Sequence, residues 1–165
     1  MARSERNASA GSRGDSARRV RHFGARRRAR EPHPHHLRAE PWLAAAMAGR
    51  VRAILPAQVL SEAYSTLTAV PGLRIRPSAA NSLLARLLDH LEYAPVSLAA
   101  QRRALGSCTR LGLVSGAIFD AVIMATAEEA GAEAMVTFNG GDFERFRSAE
   151  GPRVIVPPDP PAVTV

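Results

Sequence analysis

Apolar residues fall at helical spacing from the first patterned stretch onward. Leu37, Trp42, Leu43, Ala46 and Met47 predict a helix, and Gly49 supplies its stop. Val51 to Leu55 is a short strand candidate. Pro56 then opens a helix at its first turn, where a missing N–H costs little. That helix carries Val59, Leu60, Ala63, Tyr64, Leu67 and Val70 on one broad face, and Pro71-Gly72 ends it. Leu83, Leu84, Leu87, Leu88 and Leu91 predict a second helix over Pro77–Leu91. Ala94–Leu98 reads as a strand, and Ala99–Leu111 as a helix closed by Gly112. Ala117–Ala130 is a helix apolar nearly all round, which marks it as buried. Ala134–Phe138 is a strand, Asn139-Gly140-Gly141 a tight turn, Asp142–Arg147 a short helix and Val154–Val156 the last strand. Alternation of this kind predicts an α/β fold with a central parallel sheet flanked by helices.

Residues 1–30 break from that pattern. Ser, Gly, Ala and Arg dominate, and only Val20 and Phe23 are large and apolar. Such a segment cannot bury enough surface to offset its ordering entropy, so a disordered tail without stable tertiary contacts is expected; a basic nucleic-acid arm is the alternative. The patterned domain is expected over residues 31–156, with a Pro-rich tail at 157–165. The histidines of Glu31-Pro32-His33-Pro34-His35-His36 suit a solvated lead-in to the first helix better than a metal site.

Charge follows the same boundary. Of the 165 residues, the first 50 hold 12 arginines and four acids, a net of +8, whereas residues 51–165 hold 10 arginines and 11 acids. The basic character therefore belongs to the tail. All 22 basic residues are arginine, a bias that fits GC-rich codon usage. The single cysteine, Cys108, excludes an intrachain disulfide and a Cys/His zinc cluster, and suits a reducing cytoplasm. No apolar run approaches the roughly 18 residues of a membrane helix, and no apolar segment follows the basic N-terminus as in a signal peptide.

Candidate chemistry rests on acids. Asp120 sits among Ile118, Phe119, Ala121, Val122, Ile123 and Met124, where a lone carboxylate is costly unless something positive pairs with it. No arginine lies between Arg110 and Arg145, so the partner comes from elsewhere in the fold or is a cation. A helix N-terminal acid held by the macrodipole is an equal alternative. Glu62 lies at the margin of an apolar helix face, where a boundary glutamate is the plainer reading. Asp142 has the plainer reading of a helix N-cap, and Asn139 that of a turn former. Both follow the carboxyl end of a strand, where ligands bind in open α/β sheets. Together these positions could share one site, because clustered carboxylates need a divalent cation between them, and hard oxygen ligands choose Mg²⁺ or Mn²⁺ over zinc.

The run Ile118-Phe119-Asp120-Ala121-Val122-Ile123-Met124-Ala125-Thr126-Ala127, then Gly131, then Val136-Thr137-Phe138-Asn139-Gly140-Gly141-Asp142-Phe143 resembles the C-terminal half of a PIN domain, the closest type being the VapC toxins of toxin–antitoxin pairs. Leu55-Pro56-Ala57-Gln58-Val59-Leu60-Ser61-Glu62-Ala63-Tyr64 resembles the second acidic motif of that family. The resemblance spans roughly residues 31–156. It implies a PIN-like three-layer fold and a Mg²⁺- or Mn²⁺-dependent endoribonuclease, cytoplasmic and homodimeric, with a cognate antitoxin and an RNA substrate. Carried over, Glu62, Asp120 and Asp142 are the catalytic and metal-binding acids, Asn139 is a further ligand, and Thr137 supports the same loop. The three carboxylates are then expected within roughly 10 Å of one another.

One part of the pattern is absent. The family begins with an apolar strand ending in a metal-binding Asp, and Asp15, in polar and basic surroundings, does not match it. The abrupt change near Glu31 leads us to expect that residues 1–30 are read in a wrong frame or from a wrong start. A sheet without that strand leaves its neighbours with unpaired edges. RNA cleavage by this chain is accordingly expected to be feeble. A non-catalytic PIN-like module that binds RNA or a protein is the alternative.

Overall fold

A computed structural model describes residues 35–69 and 74–158 of the chain. The tail at 1–30, His33, Val70 and the Pro71-Gly72 stop lie outside the described residues. In chain order the elements are α1 (His36–Met47), β1 (Ile54–Pro56), α2 (Ala57–Ala69), α3 (Pro77–Leu88), β2 (Glu92–Ala94), α4 (Leu98–Leu111), α5 (Ala117–Glu129), β3 (Ala134–Val136), α6 (Gly140–Glu144) and β4 (Arg153–Ile155).

The core forms around α5. Ala121, Ile123, Met124, Ala125, Thr126 and Ala127 are all buried, and Met124 is 1% exposed. Thr126 satisfies its hydroxyl locally by donating to the Val122 carbonyl at 2.8 Å, so its burial leaves no orphan donor. α4 supplies the facing surface. Ala100, Ala104 and Cys108 are buried at intervals of four, a stripe of small side chains that lets the two helices approach closely. α4 also has the best-defined ends. The Ser97 hydroxyl accepts the Ala100 N–H at 2.9 Å, and Gly112 takes a left-handed φ of 63° while Leu113 N–H donates back to the Cys108 carbonyl at 3.0 Å. Phe143 and Phe146 close the core from the α6 side.

The strands are parallel, as their alternation with helices requires. β1 pairs with β2 through Ile54↔Glu92, Leu55↔Tyr93 and Pro56↔Ala94; β3 pairs with β4 through Ala134↔Arg153, Met135↔Val154 and Val136↔Ile155. At its open end the first pair is fastened by a two-pronged contact, Arg52 Nε to Glu92 Oε2 at 2.6 Å and Nη2 to Oε1 at 2.8 Å. That contact holds the Arg52 pKa above and the Glu92 pKa below their ordinary values, chiefly through the hydrogen bonds.

One central sheet is not what the described residues build. They build two separate two-stranded pairs, with no strand among them joining β1 or β2 to β3 or β4. Several element boundaries also differ from the sequence reading. The strand expected over Ala94–Leu98 is Glu92–Ala94, because Pro95 has no N–H to extend a ladder and Ser97 is already the cap of α4. α3 stops at Leu88, short of Leu91, and β3 stops at Val136, short of Phe138. Pro56 is the last residue of β1 and not the first of α2. α6 begins at Gly140, so the two glycines expected to form a turn are helical and Asp142 lies in the first turn, not at the N-cap. A Cβ on Gly140 would stand 2.5 Å from Val156 Cγ2; the bare glycine lets α6 lie against the end of β4.

Candidate active site

Two of the acids predicted from sequence meet in one pocket. α2 leaves the carboxyl end of β1 and carries Glu62 at its second turn, on a helix with no fully buried residue. Asp120 lies in the first turn of α5, partly buried where that helix enters the core. An open pocket of about 460 Å³ lies between them, lined by Gln58, Ser61, Glu62, Ser65, Phe119 and Asp120 with Gly116 at its edge. Gln58 Nε2 donates to Glu62 Oε1 at 3.1 Å, one helical turn away, which steadies that carboxylate at the pocket wall.

The electrostatics of Asp120 decide between the readings left open by the sequence. Its pKa is raised above the ordinary Asp value, first by burial and then by the nearby negative charge of Glu62, against an opposing pull from Arg145. The positive end of α5 would favour the ionised form, so burial and like-charge repulsion outweigh it. Asp120 is therefore a carboxylate held in a place that disfavours its own charge, beside a second carboxylate.

Asp142 is placed differently. It forms an ion pair with Arg145, three residues on in α6, and does not line the pocket. Arg145 is the site residue that sequence reasoning missed. Its positive charge acts on Asp120 as the weaker, opposing pull on that pKa, and the flanking Phe143 and Phe146 pack into the core cluster with residues of α5. Its i, i+3 spacing from Asp142 was the available signal. Asn139 is the N-cap residue of α6 without a side-chain cap bond. Its N–H donates to Thr137 Oγ1 at 3.0 Å, and its carbonyl accepts from Asp142 N at 3.1 Å. Among the described residues no three acidic, histidine or cysteine side chains gather closely enough to hold a metal ion. His35, from the histidine-rich lead-in, stacks on Phe138 with ring centroids 4.2 Å apart.

A family model for the PIN domain matches residues 28–148. The chain belongs to the PIN family. PIN domains are in general metal-dependent nucleases, and the mixed α/β architecture with short parallel strands agrees with that membership. No curated protein matches the chain. No helix among the described residues is long and apolar enough to cross a membrane.

The donor set of this PIN domain suits a hard divalent cation in part. Glu62 and Asp120 offer carboxylate oxygens at one pocket, and Mg²⁺ is commonly held by one or two carboxylates with water in its remaining positions. Asp142 is engaged by Arg145 and offers less.

Proposed function

We propose that this PIN domain is an endoribonuclease dependent on Mg²⁺ or Mn²⁺, the VapC-type toxin of a toxin–antitoxin pair, cytoplasmic and homodimeric, and that its activity in this chain is impaired. The observation that carries the nuclease reading is the pairing of Glu62 with Asp120 in one open pocket, where burial and the neighbouring Glu62 charge both disfavour the ionised Asp120 unless a cation lies between. Glu62 and Asp120 would hold the cation, with Asn139 and Asp142 as the further family positions. The bound cation would acidify a water and offset charge on the attacked phosphate.

The remaining roles fall to the chain's own groups. Gln58 orients Glu62 through its amide. Ser61 and Ser65 present hydroxyls that suit phosphate oxygens at the pocket wall. Arg145, ion-paired with Asp142, supplies a positive charge whose pull opposes the rise in the Asp120 pKa. Impairment rests on the metal-binding Asp strand that the family carries and the sequence before Glu31 does not match; the two separate strand pairs and the lack of a three-acid cluster among the described residues support that reading.

One observation favours a second reading, a non-catalytic PIN-like module that binds RNA or protein. The Asp142–Arg145 ion pair occupies the third acid. RNA cleavage assays on the full chain with Mg²⁺, Mn²⁺ or EDTA separate the two. The nuclease reading expects slow, cation-dependent cleavage that is lost in Asp120→Asn and Glu62→Gln. It expects a large gain when an apolar strand ending in Asp is fused before Glu31. Metal-independent cleavage, or no cleavage even by the fused protein, would overturn it in favour of the binding module. Rapid cleavage by the unmodified chain, lost in Asp120→Asn, would refute the impairment alone.

A further inference from the structure

The acid pocket is not isolated. Against it lies a groove of about 330 Å³, walled by Val96, Leu105, Ile118 and Val122, with Gln101 on its far side. Gln58, Ser61 and Phe119 line both cavities, so the two adjoin across shared side chains. The groove opens where α2 leaves β1 and where the chain leaves β2, at the carboxyl ends of both strands, the usual ligand-binding end of a parallel sheet. Its size falls at the small end of the range of about 300–1,000 Å³ for small-molecule pockets.

Phe119 is the feature that core packing leaves unexplained. It immediately precedes Asp120 in a helix that buries six other side chains, yet it is 51% exposed and lies on the border between the acidic and the apolar cavity. The groove lining holds no charged side chain, so it has no counter-charge for a phosphate or a cation. What it offers is an aromatic ring, aliphatic walls, two amides and a hydroxyl. A nucleobase matches that set: it has two flat apolar faces and an edge of donors and acceptors, and stacking on aromatic side chains is how unpaired bases are held with little regard to sequence.

We propose that this groove is a nucleobase subsite, in which one base of single-stranded RNA stacks on Phe119 and presents its edge to Gln58, Gln101 and Ser61 while its phosphate lies toward Glu62 and Asp120. The inference rests on the nuclease reading for the identity of the strand, and on the shared lining of the two cavities for the placement of the base. Gln58 couples the two parts, because the amide that steadies Glu62 also borders the base. The subsite requires an unpaired base, since a base in a duplex presents no free face.

Binding of fluorescently labelled hexauridylate to the full chain, read by anisotropy in EDTA at fixed salt, tests the subsite without cleavage. Base stacking on an aromatic residue is worth enough that Phe119→Ala should weaken binding about 5- to 100-fold. Phe119→Trp should restore it, Gln101→Ala should weaken it less, and Val114→Ala, at an 82% exposed position outside both cavities, should leave it unchanged. A hexamer of ribose phosphate lacking every base should bind the unmodified chain as weakly as hexauridylate binds Phe119→Ala, and Phe119→Ala should weaken it no further. Thermal unfolding of each variant checks that the fold is retained. Equal affinity of Phe119→Leu and the unmodified chain overturns the subsite, as does an equal loss for the base-free hexamer on Phe119→Ala, or no binding of hexauridylate at all. Failure of the nuclease reading shows separately, in the cation-dependent cleavage assay with Asp120→Asn.

Discussion

Replacing Asp120 by Asn should stabilise the fold when no cation is present and destabilise it, relative to the unmodified chain, when one is. The substitution keeps shape and removes charge. The unmodified chain carries a carboxylate whose ionised form burial and Glu62 both disfavour. Glu62 is exposed and Asp120 only partly buried, so solvent screens their repulsion to about 0.5–1 kcal/mol, the scale of exposed charge pairs. For a chain of this size that corresponds to a rise of roughly 1–4 °C in Tm. Because the folded pKa of Asp120 is raised, the folded chain holds the proton more tightly than the unfolded one. Stability therefore falls as pH rises from the ordinary Asp value of 3.8 through the raised value, and is level above it. The advantage of Asn should grow as pH rises through the raised value and should vanish below about 3.8. Divalent cation should reverse the order: at ten times its Kd, a ligand of the folded state alone adds about 1.4 kcal/mol, and only the unmodified chain gains it. Differential scanning fluorimetry from pH 4 to 8, in EDTA and in a Mg²⁺ or Mn²⁺ titration, reads both effects. A lower Tm for Asp120→Asn at pH 7 in EDTA, or a difference independent of pH, would refute the account of this carboxylate.

Two further substitutions test how the fold positions the site. Gly140→Ala should cost about 1–3 kcal/mol, because its Cβ would meet Val156 Cγ2 and the end of α6 must shift from β4; chemical denaturation measures the loss, and an unchanged midpoint would show that α6 does not lie as described. Met124→Ala should cost about 2–5 kcal/mol, since Met124 is 1% exposed at the centre of the core cluster; a loss below 1 kcal/mol in urea unfolding would show that α5 is not the packing centre.

What could be read from sequence depended on how much local pattern each element carries. α5 was legible because nearly every position is apolar, and burial all round is the only stable outcome for such a helix. α4 was legible because apolar spacing and Gly112 agree on its extent. The strands were less so. At three residues each they hold too little alternation to fix their ends, and Glu92-Tyr93 reads as polar because those side chains are exposed. α6 was misplaced because two glycines signal a turn locally, whereas the close approach to Val156 makes them helical. In the site, Asp120 could be singled out from its apolar surroundings, whereas Glu62 stood out only through the resemblance of its motif. Arg145 carried only its i, i+3 spacing from Asp142 as a local signal, and its bearing on Asp120 depends on the tertiary placement of α6.

The division of the strands into two pairs bears on cooperativity. A two-stranded ladder of three residues has almost no stability of its own, so each pair depends on the helices that cover it. α2, with Glu62, continues from β1; α5, with Asp120, runs on toward β3. The pocket therefore lies at the seam between α2 and α5, drawing one carboxylate from the helix that follows β1 and one from the helix that precedes β3. Any ligand that grips both acts as a staple across that seam, slowing the opening of one half against the other, so that amide exchange in β1 and β3 would report occupancy of a site neither strand touches.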